Sequence, residues 1–359
     1  VIEHIDVAIV GGGPAGSSCA WALRHAGARV VVLDAASFPR QKVCAGWVTP
    51  RVFAALALDP AEYRAAGLVL QEVDGFKTGI IHGRQMVSTE YSATVSYAVR
   101  RFEFDDFLLR RAGVPVMQGT RVTSIRREAG AWRLNERVTA RTLVGAGGHF
   151  CPVARLLNPA ASADGDVVIA KELEVPVDGA SCAVDGLTPE LMFCRDLDGY
   201  GWCIRKQEYV NVGFGRRGSN GFQSHLADFC EWLRMRGVAP REVLDPRRWK
   251  GHAYRIRRPG RRVRDDGVLL VGDSAGLAWP ESGEGIAPAV ESGIAAAHVI
   301  ATVGTATADE ALSTYDRLIA PVAASRWAVP VPAAVSRALM GVPPVARFVL
   351  DRWFLRTAA

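Results

Sequence analysis

The sequence predicts an α/β protein: a Rossmann-like domain built on a parallel sheet, interrupted by an inserted antiparallel-sheet domain and followed by a helical C-terminal tail. Three observations predict it. A β-turn-α-β pattern with a glycine-rich turn fills the first 34 residues. A second strand runs into a glycine turn at Val268–Gly272, far along the chain. Between them, from about Val167 to Phe214, apolar residues recur mostly every second position with Gly and Pro punctuation, as an antiparallel sheet requires.

Taken in order, Ile5–Val10 is a short apolar run ending at Gly11, Ala15–His25 has helical spacing, and Arg29–Leu33 is a β-branched second strand. Arg101–Arg111 reads as a helix with Phe104, Phe107 and Leu108 on one face. Alternating strands are expected at Arg121–Arg126 and Ala131–Leu134, and Thr142–Gly148 is a strand entering a glycine turn. Ser224–Arg236 is a helix of the inserted region, Val268–Val271 a buried strand, and helices dominate thereafter. The expected division places the nucleotide-binding domain at 1–70, 99–160 and 263–303. The substrate domain takes 71–98 and 161–262, and a helical C-terminal region takes 304–359.

With 49% apolar and 22% charged residues, the 359-residue chain has the composition of a globular protein able to bury a sizeable core. Its net charge of +6 comes mainly from scattered arginines, without the clustered stripe that nucleic-acid binding needs, so no nucleic-acid partner is expected. The seven cysteines form no CxxC pair and the seven histidines no HxxxH, so no metal site is expected. With neither a secretory signal nor a membrane-length apolar stretch visible, a reducing cytoplasm is the expected location.

The first motif, Gly11-Gly-Gly13-Pro14-Ala15-Gly16, satisfies GxGxxG between a strand and a helix. Gly11 permits the tight turn, Gly13 lets backbone approach a pyrophosphate, and Gly16 allows close helix–strand packing. The helix N-terminus offers unpaired N–H groups to phosphates, and Asp34 closes the second strand where an acid binds a ribose hydroxyl. The second motif, Gly272-Asp273-Ser-Ala-Gly276, selects the dinucleotide. An Asp there accepts from a ribityl hydroxyl, which flavins have and NAD lacks. Gly283-Glu284-Gly285 precedes a helix able to direct its N-terminus at the flavin pyrimidine edge. Gly272–Gly276 is also formally GxSxG, but the acids after Ser274 crowd into one short stretch with only His298 beyond, which disfavours a hydrolase.

In this order the motifs resemble the geranylgeranyl reductase family of FAD-dependent oxidoreductases, relatives of FAD-dependent monooxygenases and flavin halogenases. The likeness extends to about residue 300. It is carried by Gly11–Gly16, Pro39–Gly46, Arg101–Leu108, Gly145–Arg155, Gly199-Tyr-Gly-Trp202 with Asn211–Gly215, and Gly272–Ile286. The resemblance implies a Rossmann-like FAD-binding domain with an inserted antiparallel-sheet substrate domain and FAD as cofactor. Arg101 would reach the phosphates, with Arg40, Cys44, Ala45 and Gly46 lining the cofactor and isoalloxazine edge. Val122 and Gly147 belong to the cofactor site, as do Gly272 and Asp273 at the ribityl-phosphate and Gly283, Glu284, Gly285 and Ile286 over the flavin. Cys44, Tyr200 and Trp202 are the candidate catalytic residues. The last two are either pocket wall or core aromatics.

Two departures stand out. Gly145-Ala-Gly-Gly148 lacks the Asp that relatives often carry, and Trp202 is followed by Cys-Ile-Arg205-Lys206 where an apolar residue and proline are common. Arg205 beside an apolar pocket would be costly to bury. Lys42 reads as a solvated loop lysine, and Cys151, Cys182, Cys194, Cys203 and Cys230 as small buried residues. Arg40 and Lys42 are the candidates for an electropositive setting around Cys44.

The implied reaction is hydride transfer from reduced flavin to a carbon–carbon double bond of an apolar, prenyl-type small molecule, with NAD(P)H or a separate electron-donor protein as reductant. The alternatives are an FAD-dependent monooxygenase (hydroxylase) and a flavoprotein maturation factor acting on another protein. Val329–Phe354 mixes apolar residues with arginines. It is either a helix packed on the protein's own core or a peripheral membrane contact through the C-terminal region.

Overall fold

Val7–Val10 and Val30–Leu33 are apolar on both faces and completely buried, as strands covered on two sides must be. In the computed structural model the described residues are 2–159, 167–178, 182–237, 239–256, 261–265, 267–302, 308–323 and 342–356. Strand Ile2–Val10 lies at the centre of an eight-stranded sheet, parallel to Val30–Leu33 on one side and Val138–Gly145 on the other. Val268–Leu270 adds in parallel beside Val138–Gly145, and Val116–Met117 beside Val30–Leu33. Helices Pro14–His25, Arg101–Ala112 and Ile286–Thr302 pack around it.

The expected strand at Arg121–Arg126 instead forms at Ile125–Glu128. The Asn135 side chain accepts from the Thr123 and Ser124 amides and donates to the Arg121 carbonyl at 2.7 Å, replacing a ladder partner there.

The inserted region is a seven-stranded sheet in the order Lys250–Arg255, Val167–Pro176, Tyr209–Arg217, Gly199–Lys206, Glu190–Phe193, Gly75–Ile80, Met86–Glu90. Its pairs are antiparallel except that Glu190–Phe193 runs parallel to Gly75–Ile80, a strand from the earlier segment of the chain. Helix Phe222–Arg236 covers one face. A third small sheet is formed by Trp47–Val48, Ser96–Val99 and Leu70–Val73, whose strands flank Gly75–Ile80 and Met86–Glu90 in sequence.

The nucleotide domain is drawn together along a seam of small residues. A Cβ on Gly16 would lie 1.9 Å from the Gly11 carbonyl, and one on Gly293 would lie 2.3 Å from the Ala15 carbonyl. Gly272 fits between Ala15 and Ala289, its amide donating to the Ser292 hydroxyl at 2.9 Å.

In the C-terminal region, helix Ala308–Ala323 docks on the parallel sheet through Tyr315, whose hydroxyl donates to the Leu270 carbonyl at 2.6 Å. Helix Pro343–Val349 runs into a π-helical turn, Leu350–Leu355, that buries Leu350, Phe354 and Leu355 against the inserted sheet. Of the stretch considered for membrane contact, Arg337, Leu339 and Met340 lie outside the described residues. Among those described, no helix is long and apolar enough to cross a membrane.

Candidate active site

The C-terminal ends of the parallel strands open into a cavity of about 740 Å³ that continues across the face of the inserted sheet. One end is a dinucleotide cradle. Gly11, at φ +113°, turns the chain where a Cβ would meet the Ala146 carbonyl at 2.3 Å. Helix Pro14–His25 then starts with Gly13 as N-cap and no side-chain cap, so its N-terminus faces the cavity without a competing oxygen. Asp34 accepts from the Gly12 and Ala36 amides at 2.7 and 2.8 Å while lining the cavity.

Two arginines share one carboxylate here. Arg101 makes a bidentate pair with the fully buried Asp105 at 2.7 and 2.8 Å, and Arg40 reaches the same group at 3.2 Å. Burial opposes the Arg101 charge, but Asp105 and the Cys44 sulfur raise its pKa above the ordinary value. Two guanidiniums on one carboxylate leave a surplus positive charge beside the open helix end, the electrostatics a pyrophosphate requires. The cradle therefore fits the dinucleotide expected from the sequence.

Further along, Asp273 lines the cavity with Gly283, Glu284, Gly285 and Ile286, at the start of helix Ile286–Thr302. Glu284 caps that helix, accepting from the Ala287 amide at 2.8 Å. Burial pushes its carboxyl up to about 7, although the Ala287 and Ile286 amides pull it back. The Cys44 sulfur accepts from the Gly46 amide at 3.4 Å and lies against the Arg101 guanidinium. Arg101, rather than Arg40, supplies the hydrogen-bonding cation.

Lys42 corrects an expectation. Instead of being solvated, it lines the cavity half-buried and hydrogen-bonds His252 on the inserted sheet. Burial depresses its ammonium to about 8, with Asp273 pulling it back up. Burial and the neighbouring Lys42 hold His252 down to about 3, so its imidazole is neutral and accepts.

The other end is aromatic. Trp47, Phe193, Tyr200, Trp202, Trp353 and Phe354 line it, with Trp47 stacked on Phe354 at 5.3 Å and Tyr200 edge-on to Phe354 at 5.5 Å. Tyr200 donates its hydroxyl to the Ser282 carbonyl at 2.5 Å. Trp202 lies over Gly213, where a Cβ would come within 2.1 Å of the ring. Its indole N–H donates to Asn211, which donates in turn to Glu172, at 2.7 and 2.8 Å. Burial raises Glu172 to about 7, against the pull of Lys206. Tyr200 and Trp202 are thus walls of the cavity as well as packed aromatics.

Of the residues anticipated from sequence, Gly11, Gly13, Pro14, Ala15, Asp34, Arg40, Cys44, Ala45, Arg101, Gly147, Tyr200, Trp202, Asp273 and Gly283–Ile286 converge on this one cavity. Gly16, Gly46 and Gly272 support it from behind without lining it, and Val122 is buried in the core of the parallel sheet. Arg205 lies on the opposite face from Trp202, its guanidinium on the Gln207 carbonyl. Ser274 donates its hydroxyl to the Gly148 carbonyl, not to a histidine. Sequence reading missed Asp105, Lys42, His252, Tyr254 and the Asn211–Glu172 pair. The four-residue spacing from Arg101 to Asp105 and the alternation of His252 with Tyr254 were the available signals.

The family described as FAD binding domain matches residues 4–327. An uncharacterized protein of Methanosarcina barkeri is 32% identical, over 84% of this chain and 76% of its own. A menaquinone reductase of Mycolicibacterium smegmatis is 30% identical over 83% and 77% of the two chains. A digeranylgeranylglycerophospholipid reductase of Methanocaldococcus jannaschii is 25% identical over 87% and 81%. Two solved structures share the fold. A geranylgeranyl bacteriochlorophyll reductase-like protein of Thermoplasma acidophilum has a TM-score of 0.73 at 20% identity, covering 98% of this chain and 100% of its own. A probable FAD-dependent monooxygenase of Pseudomonas aeruginosa has a TM-score of 0.70 at 18% identity, covering 97% and 100%.

The state of Glu284 is testable without substrate. Its folded-state carboxyl keeps a proton up to about 7, whereas the unfolded one releases it near 4.5. The stability it contributes is therefore full below 4.5 and lost as pH rises through about 7. Glu284→Gln removes that dependence, so the melting temperature of the variant relative to wild type should climb between about pH 5 and about pH 8. A constant difference across that range would show that the carboxyl titrates normally.

Proposed function

The chain belongs to the FAD binding domain family, as a geranylgeranyl reductase-type FAD-dependent oxidoreductase, and from that premise we propose that it reduces a carbon–carbon double bond of a prenyl-type substrate. The carrying observation is the continuity of the cofactor cradle with an aromatic chamber lined by Trp47, Phe193, Trp202 and Phe354. Two relatives bear the names of reductases of polyprenyl compounds, which supports the same substrate class.

When bound, FAD supplies the hydride chemistry. The chain's own residues bind and orient. Arg101 and Arg40, held by Asp105, take the phosphates with the N-terminus of helix Pro14–His25, and Asp34 and Asp273 take the ribose and ribityl hydroxyls. Gly283–Ile286 cover the flavin. Tyr200, anchored on Ser282, and Trp202, anchored on Asn211, hold an apolar chain against it and exclude water. A concave cavity lined by these aromatic rings supports a small-molecule substrate over a protein partner.

Oxygen demand tests the reaction. With anaerobically reduced flavin and a prenyl substrate, the protein should give saturated product. Product that forms only when dioxygen is admitted, and carries its label, would instead make the protein a monooxygenase.

Cys44 is proposed to act at the isoalloxazine edge, because it lines the cavity between the Arg101 guanidinium on one side and Tyr200 and Tyr254 on the other. Cys44→Ser nearly preserves volume, so it should keep FAD and fold while losing turnover or altering flavin reoxidation. A fully loaded variant with wild-type turnover and reoxidation would leave Cys44 a packing residue.

Peripheral membrane contact is proposed through the C-terminal region. Phe348 is 53% exposed, with Arg352 5.9 Å from its ring and Arg347 on the neighbouring Tyr91, while Leu350 and Phe354 face inward. The full chain should float with anionic liposomes, and Phe348→Ser should weaken flotation. Wild-type protein that stays at the bottom of the gradient rules the contact out.

A further inference from the structure

Most proton-bearing side chains along the cavity are engaged; among the described residues the Trp47 indole N–H and the Tyr254 hydroxyl are exceptions. Tyr200 donates to Ser282, Lys42 is bonded to His252, Glu284 caps a helix, and the Cys44 sulfur takes the Gly46 amide. Tyr254 lines the same cavity with no hydrogen-bond partner for its hydroxyl among the described residues. Its ring packs among Val168, Ile256 and Ala278. The hydroxyl projects to where Gly283, at φ +70°, leaves room. A Cβ there would come within 2.1 Å of the Tyr254 oxygen. Its charged and titratable neighbours are Tyr200, Asp273, Cys44 and Glu284, at the junction of cradle and chamber.

A half-buried hydroxyl with no protein acceptor is left to water until a ligand supplies an acceptor, and a ligand that displaces that water without replacing its hydrogen bond loses affinity. Burial and these neighbours raise the phenol's pKa well above its ordinary value, so it stays a donor throughout the neutral range. We propose that Tyr254 is a specificity-determining residue, donating a hydrogen bond to a carbonyl or ether oxygen that the substrate carries near its reacting end. This rests on the prenyl-substrate reading and narrows it: the chamber takes an oxygen-bearing prenyl compound in preference to an isoprenoid hydrocarbon. A site built around a donor discriminates strongly against a ligand that leaves the donor unpaired, more than an apolar wall does against an extra methylene.

The test is binding, not turnover, so it fails separately from the proposed reaction. FAD-loaded wild type and Tyr254→Phe are titrated with a short-chain prenylated naphthoquinone and with an isoprenoid hydrocarbon of similar length, followed by the flavin absorbance change. Wild type should prefer the quinone. Tyr254→Phe should weaken the quinone about tenfold, leave the hydrocarbon unchanged, and keep wild-type FAD affinity and spectrum. Equal quinone affinity in the two proteins overturns the proposal, as does a wild type that does not prefer the quinone. A variant altered in FAD affinity or flavin absorbance overturns it as well, because the hydroxyl would then serve a flavin carbonyl.

Discussion

Gly11, Ala15, Gly16 and Gly293 touch through main chain, and that contact sets where everything else can stand. With Gly16 against the Gly11 carbonyl and Gly293 against that of Ala15, two helices approach closer than any side chain would allow. Their N-termini therefore reach the same cavity, one at the cradle for phosphates and the other at Gly285–Ile286. The strand ends at Gly145 and Leu270 are locked alongside by parallel pairing. A methyl group at any of these glycines would separate parts that must act on one ligand.

Charge is distributed along the cavity with the same economy. At the cradle Asp105 neutralises only one of the two guanidiniums it orients, so a binding field for phosphate remains. Near the junction, Lys42 donates to His252, whose imidazole is held neutral, so the pair adds one positive charge near Arg101 and not two. The aromatic end is walled by rings, with Asp196, Asp198, Arg216 and Arg217 also lining the cavity on the inserted-sheet side.

Behind the chamber wall lies a buried polar chain. Lys206, fully buried, pairs with Glu174 at 2.8 Å, and Arg100 reaches the same carboxylate at 2.9 Å. Removing one partner of such a pair costs about 3–5 kcal/mol, because the other is left charged and dry. The Lys206 ammonium also sits beneath Gly46, where a Cβ would approach it to 2.7 Å, so the cluster supports the loop that carries Cys44. Together with Asn211 and Glu172 behind Trp202, it fixes both the loop and the wall that face a substrate.

The sequence by itself determined the nucleotide-binding architecture. Strand burial, GxGxxG, Asp34 and the Gly272-Asp273 turn are local signals, each imposed by a few consecutive residues. The chemistry of the cradle was legible for the same reason. What the local pattern could not reveal was pairing across the chain. Lys42 reads as a solvated loop residue until a strand more than two hundred positions away brings His252 over it. Nothing in the sequence around Tyr254 beyond its alternation with His252 marks it, because the space for its hydroxyl is opened by Gly283, from a separate loop. Nothing local marks Glu172 and Lys206 as buried; the inserted sheet buries them. Periodicity says which face of a strand a residue occupies, but only the tertiary structure decides what lies against that face. In this protein the answer for the substrate side is another sheet, a glycine loop and the C-terminal aromatics, brought together from separate regions of the sequence.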